Sequence, residues 1–163
     1  MATRVLGVGN DLAADDGVGP AVLEALGRSA LPPGVETATV GADALGVLAY
    51  LEEPGGVIII DAVRMGAAPG TVVAFSAKSA NTKIAANAWS LHGIGLSHAL
   101  ELAARLELPA DVTIVGIEPE SVEPGRPMSP CITRAVPAAV ETVLNLLRST
   151  DRAGPTSRPR TCD

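Results

Sequence analysis

Two aspartates and a histidine carry the chemistry this sequence offers. Asp16 closes a glycine-punctuated loop after the first apolar run, Asp61 terminates the run Val57-Ile58-Ile59-Ile60, and His92 stands just ahead of Gly93 and Gly95. Together they supply two oxygens and one nitrogen, a donor set that suits a borderline divalent ion such as nickel or zinc and leaves positions open for water or substrate. Each residue also has an ordinary role available. Asp61 could cap the next loop, and a single histidine is normally structural. The set is not a helical H-E-x-x-H site, and spacing alone does not make the three converge.

The loop VGNDLAADDGVGP, residues 8–20, concentrates three acids among glycines. A glycine-rich turn after a first strand can cradle phosphate at a helix N-terminus. Here the third glycine of G-x-G-x-x-G is absent, no acid closes the second strand at Val40, and three carboxylates would repel a pyrophosphate. The acids attract a cation or a cationic group instead. Asp15 is expected as the N-cap of the first helix and Asp11 as a solvated loop acid, which leaves Asp16, in the first helical turn, to face the strand ends. His98, six residues after His92, reads as a flanking residue on the solvent side of its helix.

Such residues need elements to position them. The runs 4–9, 56–63 and 112–117 are short, β-branched and nearly continuous in apolar character, as strands buried on both faces are. Residues 35–40 and 71–77 alternate more weakly and follow PPG and APG turns. Helical periodicity covers about 16–28, 44–51 and 95–106, and then a long stripe from Ile132 to Leu147 that starts from Ser129 as N-cap and Pro130 at the first helical position. The order βαβαββαβα predicts an α/β fold, a three-layer α/β/α sandwich around a five-stranded, mostly parallel sheet. The short 65–69 link makes the fourth strand antiparallel to the third. Ligands of such sheets gather beyond the carboxyl ends of the strands, where the 9–19 loop, Asp61 and His92 all project.

The totals bound the partners. A chain of 163 residues, 47% hydrophobic and 18% charged with net charge −6, forms one globular domain, here 1–149, followed by a breaker-rich tail at 150–163 that is expected to be disordered. An acidic balance with single Phe, Trp and Tyr residues argues against nucleic acid. No run reaches the length of a membrane span, and the N-terminal residues do not read as a signal peptide, so a cytoplasmic protein without a membrane partner is expected. Cys131 and Cys162 fit neither a disulfide framework nor a paired-thiolate metal site.

The residues resemble one family in order and spacing: the hydrogenase maturation endopeptidases, which process the large subunit of nickel–iron hydrogenases. The resemblance runs over about residues 4–148 through Gly7-Val8-Gly9-Asn10, Asp15-Asp16-Gly17-Val18-Gly19, Asp61-Ala62-Val63, Pro69-Gly70-Thr71, Leu91-His92-Gly93 and Val115-Gly116-Ile117-Glu118-Pro119-Glu120-Ser121. It implies removal of a C-terminal peptide from a precursor large subunit after nickel insertion. The family's metal-contacting positions fall on Asp16, Asp61 and His92, which thereby become both the metal and the catalytic residues. Many members carry Glu where this chain has Asp16. Residues 39–44 also lack the acid and the glycine-rich pattern common after the second strand.

By this resemblance the nickel arrives on the precursor and is not a permanent cofactor. The partner is the large-subunit precursor, and a monomer suits a folded protein substrate. The proline-rich 118–129 loop reads equally as a grip on that precursor or as a rigid connector. Two other classes of function stay open, a metallohydrolase with its own bound ion and a chaperone that checks nickel without cutting.

Overall fold

The apolar runs become strands where β-branched residues crowd together, and the structure, a computed structural model, describes them within residues 2–79, 89–90 and 95–152. The strands are β1 (Thr3–Val8), β2 (Val35–Val40), β3 (Gly56–Arg64), β4 (Val72–Ser76), a two-residue β5 (Trp89–Ser90) and β6 (Asp111–Ile117). The helices are α1 (Val18–Leu26), α2 (Leu48–Leu51), α3 (Leu96–Arg105) and α4 (Pro130–Arg152). Tighter 3-10 turns lead into α1 at Ala14–Gly17 and into α2 at Ala44–Val47, the second capped by Asp43, whose carboxylate accepts the N–H of Leu45 at 3.0 Å.

The sheet runs β2-β1-β3-β6-β4, with β1, β2, β3 and β6 parallel. Alternating side chains of β1, β3 and β6 feed two separate cores. On one face Val5, Ile58, Ile60, Val115 and Ile117 pack against α1 and against the Ile132, Ala139, Val143 and Leu147 stripe of α4. On the other, Leu6, Val8, Val57, Ile59 and Ile114 meet Leu51 of α2 and Leu96, Ala99 and Ala103 of α3. The three layers expected from the sequence are therefore present. Each fully buried Leu, Ile or Val side chain contributes roughly 1.5–3 kcal/mol of transfer free energy. That is why α4 continues through Pro137: the proline lies on the exposed side while the stripe stays buried.

Three boundaries differ from expectation. β4 is antiparallel, but it bonds to β6, from the Val72–Ile117 pair to the Ser76–Thr113 pair, and β6 lies between it and β3. The 65–71 link thus crosses the end of β6. Glu118, the next residue after β6, fixes that crossing: its carboxylate accepts the N–H groups of Met65 and Ala67, its carbonyl that of Gly70 at 2.8 Å, and its own N–H bonds to Thr71 at 2.9 Å. β5, which pairs antiparallel with Val63 and Arg64, is too short to leave a sequence signal. Lastly, α4 runs to Arg152, three residues past the expected boundary, and the expected disordered tail lies from 153 onward outside the described residues.

Candidate active site

The opening glycines serve close packing of helix start on strand end. Gly9 has φ +140°, and a Cβ there would lie 1.9 Å from the carbonyl oxygen of Asp16. A Cβ on Gly19 would lie 2.2 Å from the Val8 oxygen and 2.7 Å from the Ile60 oxygen. Only hydrogen fits at either position, so α1 begins directly against the ends of β1 and β3.

That contact draws the first two predicted residues to one end of the sheet. Asp16 is buried, and its Oδ2 accepts the N–H of Asn10 at 3.0 Å, just past β1. Asn10 in turn accepts the N–H of Leu12 through its side chain at 3.0 Å, so the loop is braced from within. Asp61 is fully buried in β3, where the ladder to β1 stops at the Gly7–Ile60 pair, one residue short of it, while the ladder to β6 continues through the Asp61–Gly116 pair. These are two carboxylates taken out of water near the carboxyl end of a mixed sheet, oxygen donors of the kind a cation accepts. His92, the third predicted residue, lies outside the described residues. Among the described residues no three His, Cys, Asp or Glu side chains come together as a metal site, so a ligand set here depends on that imidazole.

Asp15 does not cap α1; the N-cap position is Gly17, with no side-chain bond to the helix. The 3-10 turn, entered through Ala14 at φ +50°, rotates Asp15 inward to complete burial. There its Oδ2 accepts the N–H groups of Glu120 and Ser121, both at 2.8 Å, and the Ser129 hydroxyl at 2.9 Å, while Oδ1 accepts the Ser129 N–H at 2.7 Å. Sequence proximity favoured a local cap because burial and the 118–129 loop are invisible in one dimension. Those bonds anchor the loop at Glu120, Ser121 and Ser129. Ser129 precedes α4 as expected, but its hydroxyl is given to Asp15.

Asp11 and His98 are exposed, as expected. Glu118 is the acid that sequence reasoning passed over: it follows β6 as directly as Asp61 ends its apolar run, and the same strand-end rule would have found it. Cys131 is half-buried, and its thiol donates to Glu120 across 3.6 Å. Burial, then the hydrogen bond to Glu120 and the negative charges of Glu120 and Asp15, push the thiol above its ordinary value, the reverse of what a nucleophilic cysteine needs. A cavity of about 730 Å³ opens at the opposite end of the sheet among Pro32, Pro33, Pro54 and Pro109. Its ionisable lining residue, Asp111, pairs with Lys78 at 3.1 Å.

Residues 20–146 match the family described as hydrogenase maturation protease. The hydrogenase 2 maturation protease of Escherichia coli (strain K12) is 35% identical over 151 residues, which cover 91% of this chain and 92% of that protein. The hydrogenase expression/formation protein HupD of Rhodobacter capsulatus is 31% identical over 148 residues, covering 89% and 70%. Among solved structures, the hydrogenase maturating endopeptidase HybD from E. coli superposes with a TM-score of 0.76 at 32% identity, over 92% of this chain and 94% of that one. The nickel–iron hydrogenase maturation protease HybD from Thermococcus kodakarensis gives 0.70 at 29% identity, over 90% and 99%. On the family match, these likenesses and the shared fold, the chain belongs to the hydrogenase maturation protease family and is a peptide hydrolase.

Proposed function

We propose that this chain is the endopeptidase that removes a C-terminal extension from the nickel-loaded large-subunit precursor of a nickel–iron hydrogenase. The observation that carries the reading is the pair of buried carboxylates, Asp16 and Asp61, at the carboxyl end of the sheet. With the imidazole of His92 they make an oxygen, oxygen, nitrogen set of the kind a borderline divalent ion accepts. The ion is part of the substrate: nickel already seated in the precursor is the signal these residues test, and it brings the scissile peptide to them.

Hydrolysis adds a water oxygen to the peptide carbonyl carbon and breaks the C–N bond, with one water proton ending on the departing amine. A carboxylate of Asp16 or Asp61 receives the proton as water attacks and returns it to the leaving nitrogen. The Asn10 N–H holds one oxygen of Asp16, which fixes how that carboxylate faces the strand ends. A cysteine route has little support, since Cys131 holds its proton and sits at the start of α4.

The test is the intact mass of the precursor after incubation with the protein, nickel-loaded and nickel-free samples side by side. Loss of a C-terminal peptide from the loaded form alone is the expected result. Binding without any mass change in a competent precursor would replace this reading with a nickel-checking chaperone. Near-stoichiometric metal in the purified protein would replace it with a metallohydrolase that carries its own ion.

A further inference from the structure

Leu12 is 74% exposed at the outer turn of the 9–17 loop, four positions ahead of Asp16. A scattered surface leucine ordinarily needs no explanation. Leu12 differs because its backbone is held on both sides: its N–H bonds to the Asn10 side chain, and its carbonyl accepts the N–H of Gly125 at 2.9 Å. The loops that hold it are bound to each other as well, by the Asp15 carboxylate and by the Ala14 N–H donating to the Arg126 carbonyl at 3.1 Å. An apolar side chain is thus presented to water from a fixed platform. On the flank of the same loop lies a hollow of about 180 Å³ whose lining includes Ala14, Pro20, Ala21 and Met128 together with Asp11 and Glu24. Glu24 pairs with Arg28 at 2.7 Å, but both side chains are about three-quarters exposed, so that pair is readily exchanged.

We propose that Leu12 and this hollow are the docking surface for the protein substrate. Leu12 enters an apolar depression of the partner, and the hollow receives one basic side chain, its aliphatic stem on the apolar lining and its charge facing Asp11 and Glu24. Charge complementarity argues for this occupant, since the chain carries net charge −6 and two acidic residues line the hollow. Pre-organisation argues the same way, because a side chain held in place loses little freedom on binding. The inference rests on the reading that the substrate is a folded precursor, and it names where that precursor is gripped.

The experiment compares wild type, Leu12→Ser, Leu12→Met, Asp11→Lys and Leu106→Ser on the nickel-loaded large-subunit precursor from the same source. Leu106 is the control: it is 58% exposed and follows α3, ahead of the far end of β6. Leu12→Ser is expected to raise KM about tenfold with kcat within about twofold, as loss of one buried leucine contact would. Leu12→Met restores KM, Asp11→Lys raises it, and Leu106→Ser leaves it unchanged. An unchanged KM in Leu12→Ser, or an equal rise in Leu106→Ser, overturns the proposal.

Should wild type leave the precursor uncut, the proposed function falls while docking is still decided by the Kd for the same precursor in calorimetry. A Kd weakened by Leu12→Ser but not by Leu106→Ser then supports the surface, and equal values or no binding overturn it. A wild-type dimer that Leu12→Ser dissolves would assign the surface to a second copy of this chain and overturn it too.

Discussion

Asp15 Oδ1 accepts the backbone N–H of Ser129 across 2.7 Å of space and 114 positions of sequence. With the three bonds to Oδ2, this contact ties the loop after β1 to the loop after β6 at the start of α4. The neighbouring Asp16 therefore inherits a backbone held from outside its own segment.

Asp15→Ala is expected to destabilise the fold by about 3 kcal/mol, because three partly buried N–H groups and a hydroxyl lose their acceptor together. Urea unfolding followed by circular dichroism reads this as a lower midpoint at unchanged slope. A loss below about 1 kcal/mol would mean that water replaces the carboxylate and that the two loops are not tied through it.

Asp16→Asn, Asp61→Asn and His92→Ala should each slow precursor processing by about a hundredfold or more, as loss of a proton-transferring or ligand group does. Circular dichroism should report the same fold in all three. Full processing by every variant would remove this end of the sheet as the active site.

Gly9→Ala and Gly19→Ala should be strongly destabilising or fail to fold, since the new methyl would stand 1.9 Å and 2.2 Å from backbone oxygens that cannot move without shifting α1. Gly34→Ala is the contrast. Gly34 also has positive φ, +80°, but open space around the Cβ position, so its cost should be only the left-handed strain of about 1–2 kcal/mol. Equal melting temperatures for Gly9→Ala and Gly34→Ala would contradict the packing account.

Cys131 should alkylate slowly. Its folded-state thiol sits above the ordinary cysteine range, so at any neutral pH it holds less thiolate than a free thiol and gains reactivity only at higher pH. In a Cys162→Ser background, Glu120→Gln removes one of the charges that raise it and should move the iodoacetamide pH profile back toward lower pH. Cys131→Ser should retain processing. A Cys131 that outpaces glutathione at pH 7 would point to an activated nucleophile.

The sequence alone determined the strand runs, the helix stripes and the three layers. Those depend on local periodicity, which survives in one dimension. Tertiary structure decided what depends on partners far along the chain. Asp15 looked like a cap because only its neighbours were visible; burial and the N–H groups of Glu120, Ser121 and Ser129 turned it into a clamp between loops. β4 found β6 and not β3, because Glu118 anchors the 65–71 link across the strand end. The glycines that suggested a phosphate cradle proved to be contact points, since a Cβ clash exists only once α1 lies on the sheet. Periodicity is written in neighbours, whereas hydrogen bonds and steric limits between distant segments arise only when the chain closes on itself.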